Sequence, residues 1–313
     1  LVRSRGLGDV YKRQVQEISE RVGAVVAPSV EACRHTADRM AVRKQANEEL
    51  GLPVLDYEFA ATPQEMHDAV ERIGYPCVVK APTSKDGEGF SFVHSDADLA
   101  DAWRAADRGL GQGAVVERFI DFDFEVTILA ARSIDPSTGE LATWFCEPIG
   151  TRHREGRLVE SWQPAPLPEA AMDNARSIAA RITGALASCG IFSVEMFVSG
   201  DDVYFSQVTP RPSRDGLVTF VTQRINQFDL QAHATQRLPI DSTLISPGAV
   251  RFLEGHPSQA ALAAAMAVEE VTVRMLGDGT LVLATADSAA EARQRTDEAV
   301  REIYRVDGKP GEN

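Results

Sequence analysis

Residues 192–212 read FSVEMFVSGDDVYFSQVTPRP. Two apolar runs, 191–198 and 203–208, flank Ser199-Gly200-Asp201-Asp202, the pattern of a β-hairpin closed by a tight polar turn. Glu195 and Gln207 fall on its two strands, at facing positions across the turn. Two oxygen donors so placed suit a hard divalent cation, which takes a few protein oxygens and completes its shell elsewhere. A carboxylate within an apolar strand is costly to bury unless it is paired or metal-bound, which favours a functional Glu195 over a structural one. Arg211 follows Gln207 by four residues, and its planar guanidinium suits bidentate contact with a phosphate or a carboxylate.

Upstream, Tyr75 to Lys80 (YPCVVK) reads as a short buried strand. Lys80 ends it and faces the polar loop TSKDGEGF of residues 83–90. A strand-end Lys beside glycine backbone can meet phosphate oxygens while amides cradle the rest; equally, Lys80 can be a snorkelling surface side chain. The loop lacks GxxxxGK[ST] and is no P-loop. Residues 117–125 (ERFIDFDFE) run a buried strand into an acidic, aromatic stretch. There Glu117 and Ile120 can offer backbone groups to an adenine edge and Glu125 can hold ribose hydroxyls, or the segment is an edge strand with solvated acids.

The rest reads as alternating helix and strand, an α/β class of α+β lobes. Helices are expected over 38–50, 62–73 (Thr62 as N-cap, Pro63 first), 96–107, 168–187 and 289–304. Strands are expected over 90–94, 114–117, 124–131 and 142–149, with a second hairpin of 269–275 and 280–284. Val25 and Val26 end a short apolar run, like the last strand of a preceding domain. Leu1–Gln14 is basic in an acidic chain and is expected to be a non-native appended segment.

The 313 residues carry a formal net charge of −14, which disfavours nucleic acid and anionic membranes as partners. No apolar run is long enough to span a membrane and no signal peptide is visible. Four isolated cysteines without a CxxC fit reduced thiols and a cytoplasmic location; Cys77 and Cys146 are expected in the core. His67, His94, His153, His233 and His256 have no spaced partner for a metal and read as solvated.

In this order, the strand-end Lys with its Gly loop, the hinge with an acid eight residues on, and the paired ligands followed by PRP resemble the ATP-grasp superfamily. The stretches GYPCVVK, VVERFIDFDFEVTIL, CEPIG, ESWQP, FSVEMFVSGDDVYFSQVTPRP and DGLVTF resemble, more closely, the formate-dependent phosphoribosylglycinamide formyltransferases. The resemblance implies ATP and Mg²⁺ as cofactors. It places Arg39 and Lys80 on the phosphates, Ser84, Gly87 and Gly89 in a phosphate loop, and Glu117 and Ile120 at the adenine. Glu125 would lie on the ribose, Glu195 and Gln207 on Mg²⁺, and Arg211 near the γ-phosphate. It implies phosphoryl transfer to a small carboxylate, formate or another, and attack by an amine. It also implies a homodimer, and domains at 15–33 (remnant of an N-terminal Rossmann-like domain), 34–240 (ATP-grasp) and 241–308 (small, β-rich).

Four departures stand out. Gln207 replaces a family Glu, and Gly87-Glu88-Gly89 replaces GKG. Ser213-Arg214-Asp215-Gly216 replaces His-Asp-Thr-Gly, and residues 276–280 lack the family's basic residues. They leave open a paralogous carboxylate–amine ligase with another amine, or a non-catalytic nucleotide-binding homologue.

Overall fold

A computed structural model describes residues 18, 21–23, 26–82, 89–154, 156–277 and 279–308. In chain order the elements are α1 (Val30–Ala37), α2 (Arg39–Lys44), β1 (Tyr57–Ala60), α3 (Pro63–Ile73), β2 (Cys77–Lys80), β3 (Phe90–Val93), α4 (Leu99–Asp107), β4 (Ala114–Arg118) and β5 (Phe124–Ile134). Then come β6 (Leu141–Phe145), β7 (Ile149–Arg154), β8 (Arg157–Gln163), α5 (Glu169–Ala185), β9 (Gly190–Ser199), β10 (Asp202–Thr209), α6 (Thr219–Thr222) and α7 (Gln227–Gln236). The chain ends with β11 (Gly248–Glu254), α8 (Gln259–Ala265), β12 (Val271–Leu276), β13 (Gly279–Thr285) and α9 (Ala289–Asp307).

The strands form two sheets. The smaller has the order β1-β4-β2-β3. One face buries Cys77, Val79, Ala114 and Val116 against Met66, Ala69 and Val70 of α3 and Ala102 and Ala106 of α4. The residues between them, Val78, Lys80, Val115 and Glu117, turn to the opposite face, as the two-residue strand period requires. The larger sheet has the order β10-β9-β5-β7-β8-β11-β13-β12, with β6 also on β5. Val126 and Ile128 of β5, Phe192, Val194 and Met196 of β9 and Phe205 of β10 pack against Ala175, Ile178 and Ile182 of α5. Glu125, Thr127 and Glu195, the alternate positions, face away from α5. The two sheets thus present their polar faces to one cleft.

Several boundaries follow from caps that are legible in sequence. The Thr62 side chain accepts from the Glu65 N–H at 3.2 Å, with Pro63 as the first residue of α3. Asp38 Oδ1 accepts from the Met40 and Ala41 N–H groups at 3.0 and 3.1 Å and starts α2, which passes into a π-helical turn over Gln45–Glu49. The expected strand 142–149 is two strands. Pro148 has no N–H to give a ladder, and the chain breaks there: β6 pairs with Ala130–Ile134 and β7 with Glu125–Thr127 of the same β5. The sequence reading also lacks α1, β1, β7, β8, α6, α7, β11 and α8. Val26 lies in no strand, and Val25 and Leu1–Gln14 lie outside the described residues. The C-terminal strands continue the large sheet, because β11 pairs with β8 as well as with β13. Among the described residues no helix is long and apolar enough to cross a membrane. None of the four cysteines forms a disulfide, and Cys77 and Cys146 are buried.

Candidate active site

Between the sheets lies a cleft of about 550 Å³, within the range of small-molecule sites. Its lining includes Arg39, Lys80, Gly89, Glu117, Ile120, Glu125, Glu195, Gln207 and Arg211. These are all of the site residues expected from sequence that fall within the described part. Ser84 and Gly87, with Lys85 and Glu88, lie outside it.

The small-sheet wall is built around Glu117. Its side chain is 3 % exposed, and one oxygen accepts from Lys80 Nζ at 2.6 Å while the other pairs with Arg43. Burial by itself would raise the Glu117 pKa; Arg43 and then Lys80 outweigh it and hold the carboxyl down at about 2. Burial lowers the Lys80 pKa, against the pull of Glu117. Burial and then the nearby Arg43 lower the pKa of Arg39, the first residue of α2, against the pull of Glu117 and Glu195. Three cations therefore surround one carboxylate. The sequence reading assigns Glu117 by its backbone; its side chain is the hub of this wall, and Arg43 was missed. The signal for Arg43 was its place four residues after Arg39, one helical turn on in α2.

The large-sheet wall has the opposite sign. Glu195 faces Gln207 across β9 and β10, beside a register shift between Phe205 and Gln207, and faces Thr127 across β9 and β5. Thr127 Oγ1 donates to Asp215 Oδ2 at 2.8 Å, which brings Asp215 to the same row. Glu125 sits two residues before Thr127 on β5 and pairs with His153 Nδ1 at 2.7 Å. Burial, then Asp215 and Glu125, push the Glu195 carboxyl up to about 7. Burial also raises Asp215, against the Thr127 hydrogen bond. For His153, burial alone would lower the pKa, but the Glu125 hydrogen bond and charge prevail and raise it.

Two sequence expectations are corrected here. His153 is not a solvated bystander: its side chain is 30 % exposed, lines the cleft and pairs with Glu125. Asp215, noted in sequence only within a divergent four-residue string, is 8 % exposed and belongs to the acidic row. Neither has a periodic signal, because β7 lacks alternation and the 3₁₀ turn Asp215–Val218 has no strand or helix spacing to read.

The donor set on this wall fits a divalent cation. Its carboxyls are crowded, with His153 and Arg39 as cations acting on Glu195. The Gln207 amide nitrogen is engaged with Thr209 Oγ1 at 3.4 Å, so its amide oxygen is the group left to ligate. Among the described residues no group of three or more His, Cys, Asp or Glu side chains is placed to hold a metal ion by itself. Such an ion would rely on ligand oxygens as well, the usual habit of Mg²⁺ at phosphate sites. The opposite wall, with its excess of cations, fits polyphosphate.

Comparison with known proteins identifies the family. The ATP-grasp domain family matches residues 45–228. The formate-dependent phosphoribosylglycinamide formyltransferase of Corynebacterium efficiens is 49 % identical over 288 residues, which cover 87 % of this chain and 72 % of that protein. Its counterpart from Paraburkholderia xenovorans is 41 % identical over 302 residues, 91 % of this chain and 75 % of that protein. The solved structure of glycinamide-RNase-transformylase T from Mycobacterium tuberculosis is 35 % identical with a TM-score of 0.78, covering 93 % of this chain and 78 % of that one. An N5-carboxyaminoimidazole ribonucleotide synthetase solved with ADP, 23 % identical, shares the fold with a TM-score of 0.82, covering 96 % and 79 %. This chain therefore belongs to the formate-dependent phosphoribosylglycinamide formyltransferase family of ATP-grasp enzymes.

Proposed function

We propose that the cleft binds Mg·ATP and activates a small carboxylate for transfer to an amine. The supporting observation is the opposed charge of the two walls. Arg39, Arg43 and Lys80 crowd round Glu117 on one side, and Glu195, Asp215 and Glu125 gather on the other. A metal-bound triphosphate is the ligand whose own charge alternates in that way. Adenine would lie on the segment from Glu117 to Ile120, ribose at Glu125, and phosphates at Arg39, Lys80 and the loop carrying Ser84, Gly87 and Gly89. Glu195 and the Gln207 oxygen would hold Mg²⁺, which supplies neutralisation of charge on the transferring phosphoryl group. Arg211 would meet the γ-phosphate. The carboxylate takes the phosphoryl group as an acyl phosphate, which the amine attacks with release of phosphate; formate and glycinamide ribonucleotide are the first substrates to test. In keeping with this reading, residues 34–240 form the ATP-grasp unit, 241–308 a C-terminal unit and 15–33 the end of a preceding domain. The enzyme is a cytoplasmic homodimer.

The test is calorimetry of ATP binding to residues 15–313, with and without Mg²⁺, beside Lys80→Ala and Glu125→Ala, followed by ADP formation with formate and glycinamide ribonucleotide. Mg²⁺-assisted binding lost in both variants supports the site; absence of binding by folded protein refutes it. Gln207 favours one second reading, a nucleotide binder without turnover. Binding with no ADP formed from any carboxylate and amine pair would select it.

A further inference from the structure

We propose that Arg43 is a positioning residue whose ion pair with Glu117 pins the small-sheet lobe against the large-sheet lobe, so that cations from both lobes meet on one triphosphate. The ligand in this inference rests on the nucleotide reading of the cleft; the pin rests on the packing alone.

The chain crosses between the lobes twice, and the two crossings lie side by side. The first runs from Val54, which bridges to Phe205 of β10, to Tyr57 at the start of β1. The second, residues 119–123, joins β4 to β5. The Arg118 N–H donates to the Asp56 carbonyl at 2.9 Å, and the Arg118 guanidinium pairs with the Asp56 carboxylate at 3.1 Å, so the crossings are tied to each other. The far end of the second is held on the large sheet, where the Asp123 N–H donates to the Val198 carbonyl at 2.8 Å. Two adjacent links fix the spacing of the lobes at that place and leave rotation about the links as the soft motion.

Arg43 acts against that rotation. It comes from α2, which belongs to the large lobe. Val42 of α2, with Ala46 of the turn that follows, packs in the cluster of Val194, Met196 and Phe205, and the Phe205 N–H donates to the Pro53 carbonyl at 2.8 Å. The Arg43 guanidinium leaves that lobe and reaches two neighbouring strands of the small sheet. It pairs with Glu117 of β4, and it lies 5.9 Å from the ring centre of Tyr57 of β1, the residue directly opposite Glu117 in the ladder. Both members of the ion pair are buried, and Arg43 is not among the residues lining the cleft. A buried ion pair adds little net stability over apolar packing, but a displaced partner leaves an uncompensated buried charge. Between two lobes, that penalty selects one angle.

The angle matters more for the phosphates than for the nucleoside. Adenine and ribose would lie along Glu117 to Glu125, which is the second crossing with its two ends and moves little when the lobes turn about it. The phosphate cations are split between the lobes: Arg39 stands on α2 of the large one and Lys80 on β2 of the small one. Lys80 Nζ is held at 2.6 Å by Glu117, the same carboxylate that Arg43 grips. Arg43 thus sets the separation of Arg39 and Lys80 without itself facing the cleft.

The experiment compares the full chain with Arg43→Met, Arg43→Lys and Arg72→Ala. Arg43→Met keeps the aliphatic stem and removes the charge, and Arg43→Lys keeps the charge. Arg72→Ala removes an exposed pair with Glu58, 2.8 Å apart and wholly within the small lobe. Calorimetry measures adenosine and Mg·AMP-PNP, and small-angle scattering measures the radius of gyration without ligand. We expect Arg43→Met to weaken AMP-PNP by about tenfold or more and adenosine by less than about threefold, because loss of alignment costs only the contacts that span the lobes. The same variant should have the larger radius of gyration, Arg43→Lys should recover part of both losses, and Arg72→Ala should match the parent. Equal weakening of the two ligands, or a folded Arg43→Met with the parent's radius of gyration, would overturn the pin. If Arg43→Met does not fold, Arg43→Lys decides: a lowered preference for AMP-PNP over adenosine supports the pin, and the parent's preference refutes it. If neither ligand binds the parent, the nucleotide reading falls, and scattering alone decides whether Arg43 sets the lobes.

Discussion

The two walls of the cleft differ in how their charge is balanced. On the small-sheet wall, Glu117, Lys80 and Arg43 complete one another, with side-chain exposures of 3 %, 14 % and 5 %. That network is part of the fold. On the large-sheet wall, Glu195, Asp215 and Glu125 share a row with too few cations, and their mutual repulsion is held in place by the β9–β10 and β5–β9 ladders. The first wall is organised around its own carboxylate; the second is relieved by a ligand. Substitutions on the first should therefore damage stability and binding together, and substitutions on the second should separate the two.

The largest effect is expected at the hub. Glu117→Gln leaves Arg43, Lys80 and Arg39 facing one another without their carboxylate. Removing one partner of a buried ion pair costs about 3–5 kcal/mol, so the denaturation midpoint should fall well below that of the parent. Saturating Mg·ATP should recover more stability in this variant than in the parent, because the phosphates return negative charge to the same place. The pH dependence has a fixed sign. The Glu117 pKa is depressed from the ordinary 4.5 to about 2. Its stabilising charge is present above 4.5 and is lost as pH falls from there towards 2. The acid limb of the stability–pH curve should flatten in Glu117→Gln, and an unchanged limb would show that Glu117 is not the hub.

Lys80→Ala comes next. Arg43 still pairs with Glu117, so the fold loses less than with Glu117→Gln. Nucleotide affinity should fall by about 100-fold, or roughly 2.8 kcal/mol at about 1.4 per decade. Denaturation showing a loss of stability larger than in Glu117→Gln would reverse the ranking of hub and spoke.

Glu195→Gln should move stability the other way. Removing a carboxyl that is already pushed up to about 7 by burial and by Asp215 and Glu125 relieves repulsion at neutral pH. The thermal midpoint should stay level or rise, while the enhancement of ATP binding by Mg²⁺ drops by about tenfold or more with loss of a charged ligand. A fall in midpoint comparable to that of Glu117→Gln would erase the distinction between the walls.

How much of this is readable in advance follows the same division. The hairpin carrying Glu195 and Gln207, and the strand ending in Lys80, declare themselves through short apolar runs bounded by turn residues, and each is where the sequence puts it. Local pattern suffices because each is made within one hairpin or at one strand end. The rows that complete the walls are made by pairing between distant segments. Thr127 meets Asp215 over a separation of 88 residues, and His153 meets Glu125 over 28. Those contacts depend on register in the large sheet, which no local period specifies. The strand β7 is hidden for a related reason. Its Ile149-Gly150-Thr151 start follows Pro148 directly, and its last three residues, Arg152 to Arg154, are all polar, so no alternation marks it. The join of β11 to β8 is equally silent, since strands 157–163 and 248–254 are neighbours only after the sheet is assembled.

The smallest predicted effect is a gain. Gln207→Glu would place a second carboxylate directly opposite Glu195. In the absence of ligand it adds a like charge to a row that already repels itself, and like charges facing each other across strands are mildly destabilising, by up to about 1 kcal/mol. With a divalent ion bound, the same charge becomes favourable and Mg²⁺ affinity should rise by up to about tenfold, a gain of roughly 1.4 kcal/mol. The thermal midpoint should therefore drop slightly in chelator and rise in excess Mg²⁺, crossing that of the parent between the two. The crossing is the decisive feature, because a merely structural role for Gln207 would shift both conditions in the same direction. If the Gln207→Glu variant instead showed a midpoint lowered equally with and without Mg²⁺, the facing pair would not share an ion, and the negative wall would have to find its counter-charge elsewhere in the cleft.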